Sequence, residues 1–292
     1  MVVSGPVKRA AVLGHPIAHS LSPVLHRAAY AALGLDGWRY EAIDVTEEQL
    51  PAFVRGLDSS WAGLSLTMPL KQTVIGLLDH VEPLAEVVGA VNTVLVQAGG
   101  SSPVLTGANT DVHGLVAALG EGLGSTAPVA GRTAAVIGAG ATAASTLAAL
   151  AQLGCASPVV HVRAVARSGA LLRAAHRMGV EPVVRTFETA AATMVRADLV
   201  VCTLPPHAAD ALAVELTAAG TRPVGVLLDV AYDPRPTALQ LAWTALGGTA
   251  VPGERMLLHQ AVEQVRLMTG RPGPVEAMSA ALESSLPGTV QD

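Results

Sequence analysis

Charge is scarce in this chain. Only 14% of its 292 residues are Asp, Glu, Lys or Arg, against 51% hydrophobic, a balance that excludes an intrinsically disordered polypeptide. The formal net charge is −5 and no polybasic run occurs, so a nucleic-acid partner is not expected. Cysteine is nearly absent. Cys155 and Cys202 stand far apart with no CxxC or ligand-like spacing, which argues against a disulfide framework or a zinc site and fits a reducing compartment. No Asp or Glu lies between Glu121 and Glu181, and of the 18 basic residues only Lys8 and Lys71 are lysines.

One run without charge, the 30 residues from Thr133 to Val162, is long enough to span a bilayer. It is alanine-rich, is broken by Gly138, Gly140, Gly154 and Pro158, and opens with a strand-like block. A buried strand, a Gly turn, a helix and a second strand explain it better than a spanning helix. After Lys8 and Arg9 the apolar stretch Ala10 to Leu13 is too short for a secretory signal. The expectation is a soluble, cytoplasmic protein with no membrane partner. At roughly 100 to 200 residues per domain, the length implies two domains.

Strand-like and helical blocks alternate almost throughout, which points to an α/β fold with parallel layers. In the first half the strands are Val7 to Leu13, Trp38 to Val45 and Trp61 to Leu66, with a helix from Pro23 to Leu33. Thr46, with Glu48 and Gln49 nearby, is a candidate cap for the helix that follows it. Val91 to Val96 and Pro103 to Thr106, joined through Gly99 to Ser102, read as a hairpin, and a helix is expected over Val112 to Leu119. Glu121 to Arg132, rich in Gly, Ala, Ser and Pro, is the best domain boundary. Strands at 133–137, 159–163, 198–202 and 224–230 then alternate with helices at 142–153, 169–178 and 208–219. Two helices, Glu254 to Thr269 and Pro274 to Leu286, close the chain.

Gly138-Ala139-Gly140-Ala141-Thr142-Ala143 follows a strand and opens a helix, the context that a dinucleotide turn requires. The first Gly makes the tight turn, the second lets the backbone approach a pyrophosphate, and Ala143 sets helix-to-strand packing. The acid that would bond a ribose 2′-hydroxyl about 20 residues on is missing. Arg163 and Arg167 stand there instead, which favours NADP over NAD; an exposed helix start is the alternative for both.

In the first half, Lys71 sits at a strand-to-loop junction beside Thr67 and Pro69, and in a chain that prefers Arg a Lys there suits proton transfer. Asp111 is the only charged residue between Val87 and Glu121; it either pairs with Lys71 or caps the following helix, or does both. Ser20 and Ser22, two apart in an extended loop, suit a carboxylate clamp near a helix N-terminus, or serve as caps. His15 and His19 have no third metal ligand by spacing, so no metal is expected.

These stretches together resemble the shikimate dehydrogenase family, in order over nearly the whole chain. They are Gly14 to Pro23, Gly63 to Lys71, Gly89 to Thr93, Gly107 to Asp111, Gly138 to Ala143, Asp229 to Pro234 and Gly253 to Gln260. The resemblance implies two α/β domains: an N-terminal substrate-binding catalytic domain (1–120) and a C-terminal Rossmann-type doubly wound parallel sheet binding NADP (121–252). The C-terminal helices (253–292) would return to the substrate domain, in a monomer or homodimer. It implies reversible, NADPH-dependent reduction of 3-dehydroshikimate to shikimate, with Lys71 and Asp111 as the catalytic pair. Ser20, Ser22, Thr67, Asn92 and Gln260 would hold the small-molecule substrate, with Tyr232 beside it. Gly138, Ala139, Gly140, Ala141, Arg163, Arg167, Thr203, Val230 and Gly253 would hold the cofactor.

Two positions depart from the family. Val162 and Ala164 flank Arg163 where the family has Asn and Thr, and Cys202 stands where Asn is commoner. The alternatives within the fold are a quinate/shikimate or aminoshikimate dehydrogenase, with Ser22 leaning toward shikimate because quinate users tend to have Thr there, or a catalytically silent nucleotide-binding regulator.

Overall fold

The computed structural model describes residues 7–100 and 102–286, so Ser101 in the expected hairpin turn and the last six residues of the chain lie outside it. The chain divides into two compact units. The first takes in the chain up to Glu86, Ala90–Thr110 and the chain from Leu258 onward; the second takes in Val87–Gly89 and Asp111–Leu257.

The first unit is built on β1 (Lys8–Gly14), β2 (Trp38–Asp44), β3 (Trp61–Leu66), β4 (His80–Val81), β5 (Thr93–Gln97) and β6 (Val104–Ala108). They form one sheet in the order β2-β1-β3-β5-β6-β4. Helices α1 (Ser22–Ala32), α2 (Leu50–Arg55), α3 (Leu70–Thr73) and α4 (Pro83–Val88) lie between the strands in sequence. The sheet is mixed rather than wholly parallel: β1 runs parallel to β2 and β3, whereas β5 is antiparallel to both β3 and β6. A hairpin allows no other direction for β5 against β6. Thr46 does not cap α2; Gln49 is the cap residue, and its side-chain oxygen instead accepts from the Thr46 backbone N–H at 2.9 Å.

Alternation along the strands sorts the core into two faces. Ala11, Leu13, Leu64, Leu66, Val94 and Val96 pack into one cluster, while Ala10, Val12, Tyr30, Tyr40 and Met268 form another. On β3 and β5 this alternation leaves Gly63, Ser65 and Thr93 out of the first cluster, and Ser65 stands directly opposite Thr93.

The second unit contains α5 (Asp111–Leu123) and then β7 (Ala134–Ile137), α6 (Ala141–Gln152), β8 (Val159–Val162), α7 (Gly169–Met178), β9 (Val183–Thr186), α8 (Ala190–Met194), β10 (Leu199–Cys202), α9 (Asp210–Ala219), β11 (Val226–Asp229), α10 (Ala238–Ala245) and β12 (Thr249–Pro252). Its six strands are all parallel, in the order β12-β11-β10-β7-β8-β9, the doubly wound order of a Rossmann sheet. Every residue of β7, β10 and β11 is buried, as a sheet covered on both faces demands. Helix α5 runs past the expected Leu119 to Leu123, and Gly122 in its last turn meets β11 and β12 closely; a Cβ there would touch Val226 and Val251. The last two helices are α11 (Gly253–Thr269) and α12 (Val275–Ser285), and α12 packs on α1. No helix among the described residues is long and apolar enough to cross a membrane.

His26 of α1 is fully buried, its ring stacked on Tyr40 at 3.9 Å between centroids and 11° between planes. Burial lowers its pKa to about 3, against the opposing pull of a Gln264 hydrogen bond. In the unfolded chain this imidazole takes up a proton below about pH 6.5, whereas in the fold it stays neutral until far lower pH. Protons in that window therefore favour unfolding. We expect His26 to remove about 1.4 kcal/mol of stability per pH unit between about pH 6 and about pH 4. Urea unfolding across that range should show the slope, and His26→Phe should flatten it.

Candidate functional site

In the first unit, β1 and β3 run parallel and end side by side, with Leu13 opposite Leu66. Ligands of open α/β sheets bind at the carboxyl ends of strands, and the loops leaving this edge carry most of the expected substrate residues. Backbone bonds fasten them together. Thr67 N donates to Leu13 O at 2.9 Å, Leu66 N to Asn92 O at 2.7 Å, and Val91 N to Lys71 O at 2.8 Å. Thr67, Lys71 on α3 and Asn92 at the start of β5 are thus gathered at one sheet edge; the Thr67 and Lys71 side chains are half-buried and Asn92 is buried.

Ser22, the first residue of α1, is buried, and Ser20 is half-buried; the Ser20 hydroxyl accepts weakly from Ser22 N at 3.4 Å. Neither serine is the N-cap of α1, a place taken by Leu21 without a side-chain bond. Capping therefore does not account for the pair. His15 is occupied by Asp44, Nδ1 to Oδ1 at 2.6 Å.

Behind this edge lies a set of buried amides. Asn92 Oδ1 accepts from Thr110 N at 2.8 Å and from the Thr93 hydroxyl at 2.9 Å, while its Nδ2 donates to Gln260 Oε1 at 3.3 Å. Gln264, one turn further along α11, accepts from Ser65 Oγ at 2.8 Å and donates to Thr93 Oγ1 at 3.0 Å. Tyr40 donates its phenol proton to Ser65 at 2.6 Å. Of these, sequence reasoning identified Asn92 and Gln260; Thr110, Ser65, Thr93, Tyr40 and His26 were missed. Ser65, Thr93 and Thr110 do lie inside the stretches that carry the family resemblance, whereas Tyr40 and His26 lie outside them.

In the second unit, Asp111 is buried as the first residue of α5, where the helix dipole favours a carboxylate. The glycine turn has the shape a pyrophosphate cradle needs. Gly138 has φ +119°, and a Cβ on it would collide with Thr203 Oγ1, itself held by donation to Ile137 O at 3.0 Å. A Cβ on Gly140 would meet nothing, and Gly140 caps α6 without a side chain, so the first-turn N–H groups face open space. Ala139 is half-buried, Ala141 is the first residue of α6, and Ala143 is buried against the sheet. Arg163 and Arg167 follow β8, exposed and without a carboxylate partner among the described residues. These residues fit a dinucleotide.

Tyr232 is half-buried on the loop from β11 to α10, and burial first, then the Asp233 and Glu254 charges, raise its phenol pKa. The loop is closed at its base, where Thr237 donates to Asp229 Oδ2 at 2.7 Å. Burial pushes the Asp229 carboxyl up and the facing Cys202 thiol well up. Midway along the loop, Arg235 forms an ion pair with the buried Glu254 on the first turn of α11. Gly253, just before Glu254, lies so close to Val230 that a Cβ would strike its carbonyl oxygen.

Residues 12–94 match a family model described as the shikimate dehydrogenase substrate binding domain, and residues 253–283 match one described as the shikimate 5'-dehydrogenase C-terminal domain. A shikimate dehydrogenase (NADP(+)) of Rubrobacter xylanophilus is 38% identical over 286 residues, covering 96% of this chain and 97% of that protein. The chain belongs to the shikimate dehydrogenase family. Among solved structures, the shikimate dehydrogenase of Mycobacterium tuberculosis is 39% identical with a TM-score of 0.83, covering 95% of this chain and 99% of that one. The shikimate 5-dehydrogenase of Thermus thermophilus, solved in complex with NADP(H) and shikimate, is 34% identical with a TM-score of 0.77, covering 96% of this chain and 100% of that one. Within the family models fall Ser20, Ser22, Thr67, Lys71 and Asn92 on one side and Gly253 and Gln260 on the other.

Removing one partner of a buried ion pair strands the other charge. Arg235→Met should therefore destabilise the second unit by about 3 kcal/mol, and adding Glu254→Gln should restore most of the loss; thermal unfolding of the two variants checks both.

Proposed function

We propose that this protein catalyses the reversible NADP-dependent interconversion of 3-dehydroshikimate and shikimate, a cytoplasmic step of aromatic amino acid biosynthesis. The observation that carries the reading is the gathering of Thr67, Lys71, Asn92 and Gln260 at one sheet edge, in a chain whose relatives are shikimate dehydrogenases. Lys71 is the proton carrier: as ammonium it donates to the oxygen that becomes the shikimate hydroxyl, and as neutral amine it takes that proton back. An arginine there would hold its proton throughout. Asp111 partners the lysine and a substrate hydroxyl. Ser20 and Ser22 donate their hydroxyl protons to the substrate carboxylate beside the positive end of α1, while Thr67, Asn92 and Gln260 take the ring hydroxyls and Tyr232 lies alongside.

When bound, NADPH supplies the hydride for the carbonyl carbon. Gly138, Ala139, Gly140 and Ala141 would hold its pyrophosphate and Arg163 and Arg167 its 2′-phosphate, with Gly253 near the nicotinamide and Thr203 and Val230 as further cofactor contacts. The fit rests on the Gly138 and Gly140 geometry and on the lack of Asp and Glu between Glu121 and Glu181.

Initial rates at 340 nm with shikimate or quinate, each with NADP or NAD, test this directly. We expect turnover with shikimate and NADP; a preference for quinate or NAD would move the protein to a divergent branch, and no turnover with retained NADPH binding would make it a regulator. Lys71→Ala should lower kcat by at least about 100-fold while leaving NADPH affinity near normal. Replacing Arg163 or Arg167 with Ala should raise KM for NADP about tenfold and leave KM for shikimate unchanged.

A further inference from the structure

Gln264 has no part in the mechanism above, yet its side chain is among the most completely bonded in the first unit. It is 1% exposed. Its Oε1 accepts from Ser65 Oγ at 2.8 Å and faces His26 Nε2 at 3.2 Å; its Nε2 donates to Thr93 Oγ1 at 3.0 Å and to the Asn92 carbonyl at 3.3 Å. A primary amide has two donors and two acceptor lone pairs, and all four are used. The orientation is unambiguous. A carbonyl oxygen only accepts, so the atom facing Asn92 O is nitrogen, the opposite end is oxygen, and His26 must carry its proton on Nε2. His26 Nδ1 then keeps a bare lone pair, and it is the buried ring atom without a partner.

These four bonds come from α1, β3, β5 and the residue before β5. They fix α11 against the sheet in rotation as well as in distance, which apolar contacts alone do not, because hydrogen bonds are directional and hydrophobic contacts are not. Gln260 lies four residues earlier on the same helix face, and its Oε1 accepts from Asn92 Nδ2 at 3.3 Å. Thr93 passes the constraint on: with its oxygen accepting from Gln264, its own proton goes to Asn92 Oδ1 at 2.9 Å.

We infer that Gln264 is the positioning residue of the substrate site, a saturated amide that sets the rotation of α11 and with it the orientation of the Gln260 and Asn92 amides that bind the substrate hydroxyls. The inference rests on the functional reading above for the identity of that substrate.

The test compares Gln264→Met, which keeps the volume and loses all four bonds, with Met268→Ala, which loosens the same helix at an apolar contact. In Gln264→Met we expect KM for shikimate to rise about tenfold, with kcat and KM for NADP within about twofold. Met268→Ala should leave all three unchanged while lowering Tm at least as much. Unchanged KM in Gln264→Met, or an equal rise in both variants, overturns the inference. A second readout needs no substrate: in nitrogen-15-labelled protein, the Asn92 and Gln260 side-chain amide signals should shift and exchange faster with water in Gln264→Met but not in Met268→Ala. If they do not move, the inference fails whatever the enzyme turns over; if wild type fails to oxidise shikimate, the functional reading fails and the amide signals still decide this one. Should Gln264→Met not fold, Thr93→Val, which cuts the relay at one atom, is read by the same two criteria.

Discussion

A buried amide left without partners costs about 1–3 kcal/mol for each unsatisfied group, and the first unit buries four of them, on Asn92, Asn109, Gln260 and Gln264. Much of its architecture follows from that demand. The antiparallel pairing of β3 with β5 sets Ser65 opposite Thr93, so that one hydroxyl from each strand meets the Gln264 amide. Strand alternation puts Leu64, Leu66, Val94 and Val96 into the apolar cluster away from these hydroxyls. Gly63 lets α11 come close enough for the bonds to form, since a Cβ there would press on Met268 and on the Val94 carbonyl. Register, small residues and amide orientation are one problem with one solution, and the edge that carries Thr67 and Lys71 inherits its rigidity.

The second unit solves a different problem with the same economy. Its central strands offer no polar side chain to a ligand until they end, so recognition is left to backbone at the carboxyl edge. Thr203 occupies the space that a side chain on Gly138 would need, and Val230 does the same for Gly253. Cys202, which ends β10 opposite Asp229 on β11, sits where relatives of this family more often carry Asn. Burial keeps its thiol protonated, and a buried protonated thiol is a weak nucleophile. Its proton is directed at Asp229, whose other oxygen closes the Tyr232 loop through Thr237.

How much of this was legible in the sequence depended on the length of the pattern. The strands of both sheets and the long helices show in blocks with clear periodicity, and the glycine turn was legible because it needs only a strand before it and a helix after it. The four-residue α3, the two-residue β4 and the five-residue α8 are too short to carry a period, and the edge strands β9 and β12 lack the unbroken apolar run that marks β7, β10 and β11. The antiparallel part of the first sheet was legible as the hairpin of β5 and β6. Within the site, Thr67, Lys71 and Asn92 were identified, but partners supplied by register were not: Ser65 and Thr93 lie inside the matched stretches yet read as ordinary small strand residues until β3 and β5 are paired. Gln260 and Gln264 are indistinguishable by spacing, since four residues apart they share a helix face. Only contacts separate them, one reaching Asn92 and Thr110 and the other lying beneath.

The scarcity of charge is itself part of how the second unit is built for an anion. A surface ion pair between an arginine and a neighbouring carboxylate is worth only about 0–1 kcal/mol, yet it occupies the guanidinium in competition with a ligand. Across the segment that carries the glycine turn, Arg163 and Arg167, the chain supplies no acid at all between Glu121 and Glu181. The two arginines are exposed and have no ion pair among the described residues. A single Asp at the end of β8 would instead repel a 2′-phosphate and bond a free ribose hydroxyl. Loss of the Asn and Thr that flank this arginine in the family removes neutral hydrogen bonds, whereas the two positive charges remain, and against a dianion charge-assisted bonds are roughly twice as strong as neutral ones. On the proposed reading, the two arginines would select the phosphate by charge more than by the number of hydrogen bonds.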